Sequence, residues 1–305
     1  MEALEDGTPA VVWADMFSLP YTNLPSLPNI WAMMPVAVHA WDGQWFHLAD
    51  RSRKPLKVSA EELLAARARV KKDRFRLATF SPPEAKKLSE AVASGIRQCI
   101  DLYDGEGAPR GHAASFGFSG FTKWADMLED TRNKESWARV FPDGAGLFQA
   151  LAGRTAQPGV FIWVMTWGAG HDADRGVFAD FLEEAAEIMK KPALAKTASQ
   201  FRHAADLWRK LTESALPASI PVLRETLDLL LRQRELFIEK GQSAMDARRE
   251  IRAQLENNAK LAAGSLGPSS EAVRRLKEEL RENIVKVHDA ERAAVHALQQ
   301  SIGAR

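Results

Sequence analysis

The chain has 305 residues, 46% of them hydrophobic and 27% charged, a globular balance that excludes disordered, collagenous and membrane-spanning classes. Its 41 Lys and Arg offset 40 Asp and Glu to leave a net charge of +1, so no field of one sign draws the whole molecule to nucleic acid or to a membrane, and neither is an expected partner. The single cysteine, Cys99, excludes an internal disulfide framework, and the acidic start Met1-Glu2-Ala3-Leu4-Glu5-Asp6 is unlike a secretory signal, so a cytoplasmic location is expected.

Residues 9–80 read as a β-rich part. Pro9 to Phe17 is β-branched and aromatic and runs into the proline-punctuated segment Leu19 to Pro28, a strand followed by a stiff loop. Met34 to Trp41 and Gln44 to Ala49 flank Asp42-Gly43, a pair that favours a type I′ hairpin turn. Ser59 with Glu62 forms a capping box that opens a helix from Ala60 to about Val70, and Arg74 to Phe80 alternates like a further strand. Ser81-Pro82-Pro83-Glu84 then supplies a helix start, with Ser81 as N-cap, and Leu88, Val92, Ile96, Cys99 and Ile100 recur at helical spacing. After a glycine-rich linker from Gly105 to Gly120, helices are expected at about 120–130, 134–140, 145–155, 175–190, 193–214, 219–240, 243–262 and 269–301. The longest apolar stretch, Val160 to Trp167, is too short to cross a bilayer. The last two helices carry dense mixed charge over sparse apolar positions (Leu276, Leu280, Ile284, Val287, Ala290, Ala294, Leu298), the pattern of an appended antiparallel pair or a partner-binding arm. The expected fold class is α+β, with a small antiparallel sheet over residues 1–80, a helical domain over 81–240 and a helical extension over 241–305.

Catalytic signatures are sparse. A nucleophilic cysteine needs a neighbouring cation, a helix N-terminus or a histidine base, and Cys99, late in an amphipathic helix beside Ile100, reads as a small buried hydrophobe. Gly117-Phe118-Ser119-Gly120 lacks the spacing of a hydrolase elbow, and Ser119 reads as an N-cap. The seven histidines form no His-Glu-x-x-His pair and no ligand group with cysteine. His288 and Glu291 have a di-metal spacing without its second copy, so they read as a surface helix and no metal is expected. Neither a phosphate loop nor a dinucleotide fingerprint is present, since Gly168-Ala169-Gly170 lacks a third glycine, and no cofactor is expected. Trp13, Trp31, Trp41 and Trp45 could stack on a flat ligand or fill a core; Trp13, Tyr21, Trp41 and Trp45 are the ligand-binding candidates.

Several strings resemble one family. Pro9 to Tyr21, the segment Leu48-Ala49-Asp50-Arg51-Ser52, and Ser59 to Arg67 are similar to the second half of the N-terminal domain of butirosin biosynthesis protein H and its relatives. Phe116-Gly117-Phe118-Ser119-Gly120-Phe121-Thr122-Lys123-Trp124-Ala125, Trp137 to Pro142, and Arg175 to Ala186 resemble that family's helical companion domain of unknown function. The resemblance covers about residues 5–240 and implies a papain-like cysteine fold related to bacteriocin-processing peptidases. It also implies acyl transfer from a carrier-protein thioester to an aminoglycoside amine, by a cysteine, a histidine and an orienting acid or amide.

Against that family pattern the departures are specific. The family's cysteine lies upstream of its Pro-Val-hydrophobic-Trp strand, and this sequence starts almost at that strand, so the nucleophile segment is expected to be missing. Met33 and Met34 fall where the histidine is expected, and a thioether accepts no proton. His39, an odd number of residues beyond Met34, should project from the opposite face. Asp50 occupies the place of the third triad member, where it would pair with Arg51 or Arg53 or end the strand. The expected function is that of a non-catalytic, trimmed papain-like protein that binds a small molecule such as an amine, an acyl carrier protein or another subunit. The alternative is an acyltransferase or amide-forming enzyme whose cysteine arrives from an upstream segment or another chain. Self-association, at least to a dimer, is expected in order to cover the sheet surface left open by the missing helix.

Overall fold

The computed structural model describes residues 2–24, 29–82, 84–153, 159–166, 172–267 and 271–303. In chain order the main elements are α1 (Glu2–Glu5), β1 (Ala10–Asp15), β2 (Met33–Trp41), β3 (Trp45–Ala49), β4 (Leu56–Ser59), α2 (Ala60–Ala68) and β5 (Leu77–Thr79). Then follow α3 (Ala85–Tyr103), α4 (Gly117–Met127), α5 (Trp137–Val140), α6 (Ala145–Ala152), α7 (Val160–Thr166), α8 (Arg175–Met189), α9 (Ala193–Ala215), α10 (Pro221–Lys240), α11 (Met245–Ser265) and α12 (Glu271–Ile302). The fold is α+β, with an antiparallel five-stranded sheet and a largely helical remainder. No helix among the described residues is long and apolar enough to cross a membrane.

Two compact units form, and they do not follow the linear division at 80 and 240. The first takes the described residues up to 82 and adds 225–258 from α10 and α11; the second takes the described parts of 84–153, 159–224 and 259–303. The return of a distant segment to the sheet leaves no mark in local periodicity, which is why the sequence pattern divides the chain elsewhere.

In the first unit the strands are ordered β4-β3-β2-β1-β5 and every pairing is antiparallel. Ala10, Val12 and Ala14 alternate onto the buried face of β1, where α2 lies, and Leu56 and Val58 do the same on β4. Helix α2 begins as its capping box dictates: the Glu62 N–H donates to Ser59 Oγ at 3.2 Å and the Ser59 N–H donates to Glu62 Oε2 at 2.8 Å. Leu63 and Ala66 turn its inner face to the sheet. A second apolar cluster joins Leu236 of α10 to Ala244 and Ile251.

The hairpin between β2 and β3 forms one residue later than Asp42-Gly43 suggests. Trp41 pairs with Phe46, and the Asp42 N–H donates to Trp45 O at 3.2 Å, so Gly43 and Gln44 are the central residues. Gly43 has φ +95° while Gln44 stays out of the positive region, a pattern that suits type II′ and not type I′. Asp42 caps the turn, its carboxylate accepting the N–H groups of Gln44 and Trp45 at 2.9 and 2.7 Å. The strand expected from Arg74 to Phe80 contracts to three residues, and β4 was not anticipated.

The second unit is a helical core in which Val92, Ile96 and Ile100 of α3 meet Leu182 of α8, Phe201 of α9 and Leu298 of α12. Helix α12 packs along α9, α4 and α3, so it is part of this core and not an appended arm. Two expected helix starts also move. The N-cap of α3 is Glu84, not Ser81, with Pro83 outside the described residues; that of α4 is Phe116, with Ser119 inside the helix. At α4 the cause is Gly117, whose φ of +54° lets the backbone pass close to Tyr103 O and opens the helix early.

Candidate functional site

Asp50 is held in a network of the first unit. Asp50 follows the last residue of β3, and its Oδ2 accepts the Tyr21 hydroxyl at 3.1 Å. Arg51 donates to the same carboxylate three times, from its backbone N–H to Oδ1 at 2.7 Å, from Nε to Oδ1 at 2.9 Å and from Nη2 to Oδ2 at 3.4 Å. Burial alone would raise the Asp50 carboxyl, but the hydrogen bonds and charge of Arg51, with the Tyr21 hydroxyl, outweigh it and hold it below the ordinary carboxylate range. Tyr21 is fully buried, and burial together with the Asp50 charge pushes its phenol far above the ordinary value, so it is a neutral donor. Arg53, the other expected partner, instead donates to Glu239 at 2.7 Å.

Phe237 of α10 forms the floor of this network. Its ring is nearly parallel to that of Tyr21, with centroids 6.4 Å apart, and the guanidinium groups of Arg51 and Arg248 lie 6.0 and 4.8 Å from its centroid. Arg248 of α11 is buried and donates from Nη1 to Tyr21 O at 2.9 Å and from Nη2 to Thr22 O at 2.7 Å. Burial lowers its guanidinium to about 10, with Arg252 and Arg51 adding to the effect. A carboxylate so supplied with donors by Tyr21 and Arg51 orients and anchors.

The four aromatic candidates do not converge. Trp13 is covered by the Arg76 guanidinium at 4.0 Å, Trp41 packs against its cross-strand partner Phe46 at 4.4 Å, and Trp45 lies under the Lys57 ammonium at 4.9 Å. Trp13 pairs with Pro35 on β2, six residues before Trp41, a separation of roughly 20 Å along a strand. Tyr21 belongs to the Asp50 network. Met33 and Met34 pair with Asp15 and Ala14 on β1. His39 is the extra residue of a β-bulge, exposed, with its ring 6.2 Å from that of His47; His47 in turn contacts Asp42 Oδ2 at 2.7 Å.

A second polar centre, unforeseen from the sequence, lies in the helical unit. Glu291 of α12, expected on a surface, is fully buried. Its carboxylate accepts Trp208 Nε1 at 2.6 Å, Arg175 Nε at 2.5 Å and the Tyr103 hydroxyl. Ala173 and Asp174, both at positive φ, turn the chain into α8 so that Arg175 points inward, and Arg175 Nη1 donates to Ala173 O at 2.7 Å. The guanidinium also lies 5.8 and 5.7 Å from the ring centroids of Tyr103 and Trp208. Burial, then the Glu291 charge, pushes the Tyr103 phenol well above its usual value. His288 is wedged edge-on between Phe118 and Phe121, with centroids 5.8 and 6.2 Å away.

Cys99 is half-buried near this centre. Burial pushes its thiol upward, Arg175 opposes the change and Glu291 adds to it, the reverse of what a nucleophilic thiolate needs. Among the described residues no group of three or more His, Cys, Asp or Glu could hold a metal ion. No family model and no curated protein matches the chain.

Proposed function

We propose that the chain is a non-catalytic relative of the butirosin biosynthesis protein H-like acyltransferases, acting by binding a small-molecule amine, an acyl carrier protein or another subunit, itself included. The observation that carries this reading is the commitment of Asp50. The carboxylate at the place of the orienting acid is saturated by Tyr21 and Arg51, and it ties the turn after β1 to the end of β3. Met33 and Met34, where the family's histidine is expected, bring thioethers that take no proton. The raised thiol of Cys99, beside Glu291, supports the same conclusion.

Incubation with an acyl-carrier thioester and an aminoglycoside acceptor tests it. The expected result is no transfer above the uncatalysed background, with wild type and Cys99→Ala indistinguishable. Turnover that Cys99→Ala abolishes would overturn the proposal.

A further inference from the structure

The two edges of the sheet are treated differently. At the β4 edge, Lys57 points its backbone outward and both groups are taken by one side chain: the Lys57 N–H donates to Gln242 Oε1 at 2.7 Å, and Gln242 Nε2 donates to Lys57 O at 2.8 Å. At the other edge, Trp13 N–H donates to Arg76 O, which fixes the alternation along β5. Val11 and Ala78 are then a hydrogen-bonded pair, while Leu77 and Thr79 turn their N–H and C=O groups away from β1 to the open edge. Among the described residues no hydrogen bond meets them there.

The surroundings of that edge are both apolar and cationic. Leu77 stands opposite Val12, on the buried face, yet is 52% exposed, and Phe75 and Phe80 on either side are 46% and 66% exposed. Residues 67–76 carry Arg67, Arg69, Lys71, Lys72, Arg74 and Arg76 against Asp73 alone, six cations to one anion in a chain whose net charge is +1. Arg69 lies 3.7 Å from Asp15 and Arg76 lies 3.7 Å from Asp73, so part of this charge is answered internally. Phe75 has φ +55°, a strained conformation for a bulky residue, and it is held so by Arg67, whose O accepts the Phe75 N–H while its Nη2 donates to Phe75 O. The Arg67 and Arg74 guanidiniums lie 5.7 and 5.8 Å from the ring centroid, so an exposed phenylalanine has two cations beside it.

A short basic strand also protects a sheet edge from like copies, because the charges repel. That repulsion argues against a second copy as the occupant. It does not account for the exposed apolar residues Phe75, Leu77 and Phe80 or for a strained residue that displays one of them. Alternating backbone donors and acceptors fit another peptide backbone better than a lipid surface or a nucleic acid. We propose that the β5 edge receives, as an added antiparallel or parallel strand, an extended segment of a partner protein in which acidic and apolar residues alternate. This inference does not rest on the acyltransferase relationship.

The probe is a fluorescein-labelled octapeptide of alternating glutamate and valine, titrated by anisotropy into the full chain at low salt. The controls are a lysine–valine octapeptide, phosphatidylserine vesicles and a single-stranded DNA oligonucleotide. The acidic peptide should bind at least about tenfold more tightly than the basic one, and Arg74→Glu, an exposed change, should weaken it by about tenfold. Thr79→Pro removes an outward N–H while sparing the Val11–Ala78 bonds and should weaken binding similarly without altering the charge. Amide exchange at Leu77 and Thr79 in the wild-type chain should slow when the acidic peptide is added, a readout independent of whether the proline variant folds. Equal binding of the two peptides, unchanged exchange at Leu77 and Thr79, or vesicles or DNA binding where the acidic peptide does not, would each overturn the proposal.

Discussion

The Tyr21 hydroxyl donates to Asp50 across 29 residues of sequence, and both groups are removed from water, Tyr21 completely and the Asp50 side chain to 11% exposure. A hydrogen bond to a charged acceptor contributes about 1.5–3 kcal/mol, so Tyr21→Phe should lower unfolding stability by about that amount in a denaturant titration. The pH dependence follows from the two opposite shifts. Asp50 is depressed in the folded chain, so its contribution is present above the unfolded value near 3.8 and is lost as pH falls through the lower folded value. Tyr21 is raised, so its contribution is full below pH 10 and is lost as pH rises from there towards the folded value. The Tyr21→Phe variant should lose the part of the alkaline limb that Tyr21 contributes, keeping that of Tyr103, and its acid limb should shift upward.

Glu291 and Arg175 form a buried pair in which Glu291 also accepts from Trp208 and Tyr103 and Arg175 also donates to Ala173 O. Removing one member leaves a charge without compensation, a cost of about 3–5 kcal/mol, whereas replacing both by apolar groups of similar volume is often neutral or stabilising. Arg175→Met should therefore lower the thermal midpoint strongly, and the double variant Arg175→Met, Glu291→Leu should recover most of the loss. A double variant no more stable than Arg175→Met would show that the surrounding Trp208 and Tyr103 donors, left without an acceptor, dominate.

These two centres show where a sequence stops being readable. The Ser59–Glu62 capping box is local, and it appears as written. Residues 56–59 escape notice because four residues abutting a helix give too short an alternation to separate from its N-terminal cap. Glu291 offered a signal: it falls in the row of Ile284, Val287, Ala294 and Leu298, all buried, where a charged residue is the informative exception. Of the Asp50 network only the neighbouring Arg51 was legible; the rest was not, because Arg248 reaches Tyr21 across 227 residues and Phe237 comes from the same returning segment, and no periodicity records such a contact. The hairpin was legible as a hairpin, but its register was not, since the Asp42 carboxylate decides it.

Gly117 should tolerate no side chain. A Cβ built there would lie 1.9 Å from Tyr103 O, a backbone atom that cannot rotate away, and the residue has φ +54°. Left-handed backbone costs an ordinary residue about 1–2 kcal/mol and overpacking about 1–3 more, so Gly117→Ala should destabilise the helical unit by roughly 2–5 kcal/mol. Gly95, with open space around its Cβ position and a place inside α3, is the internal control. Gly95→Ala should be neutral or stabilising, by up to about 1 kcal/mol, through its helix propensity. Equal midpoints for the two variants would refute the close approach of α4 to the end of α3.

The Asp42 carboxylate sets the hairpin register, so its titration reports on the turn. The N–H groups of Trp45 and Gln44, then His47, lower its pKa to about 2, with burial opposing only slightly. Because the folded value lies below the unfolded one, the contribution of the ionised form is present above about pH 3.8 and is lost as pH falls through about 2. A carbon-detected NMR titration should place the Asp42 midpoint near 2 in the wild-type chain. In His47→Ala it should rise by only part of the shift, because the backbone donors come first. Asp42→Asn keeps an acceptor for those N–H groups but loses the charge, so its spectrum should retain the Trp41–Phe46 pairing while the acid-induced change at Trp45 disappears. A wild-type midpoint at the ordinary aspartate value would mean that the carboxylate does not cap the turn and that Gly43 alone fixes the register.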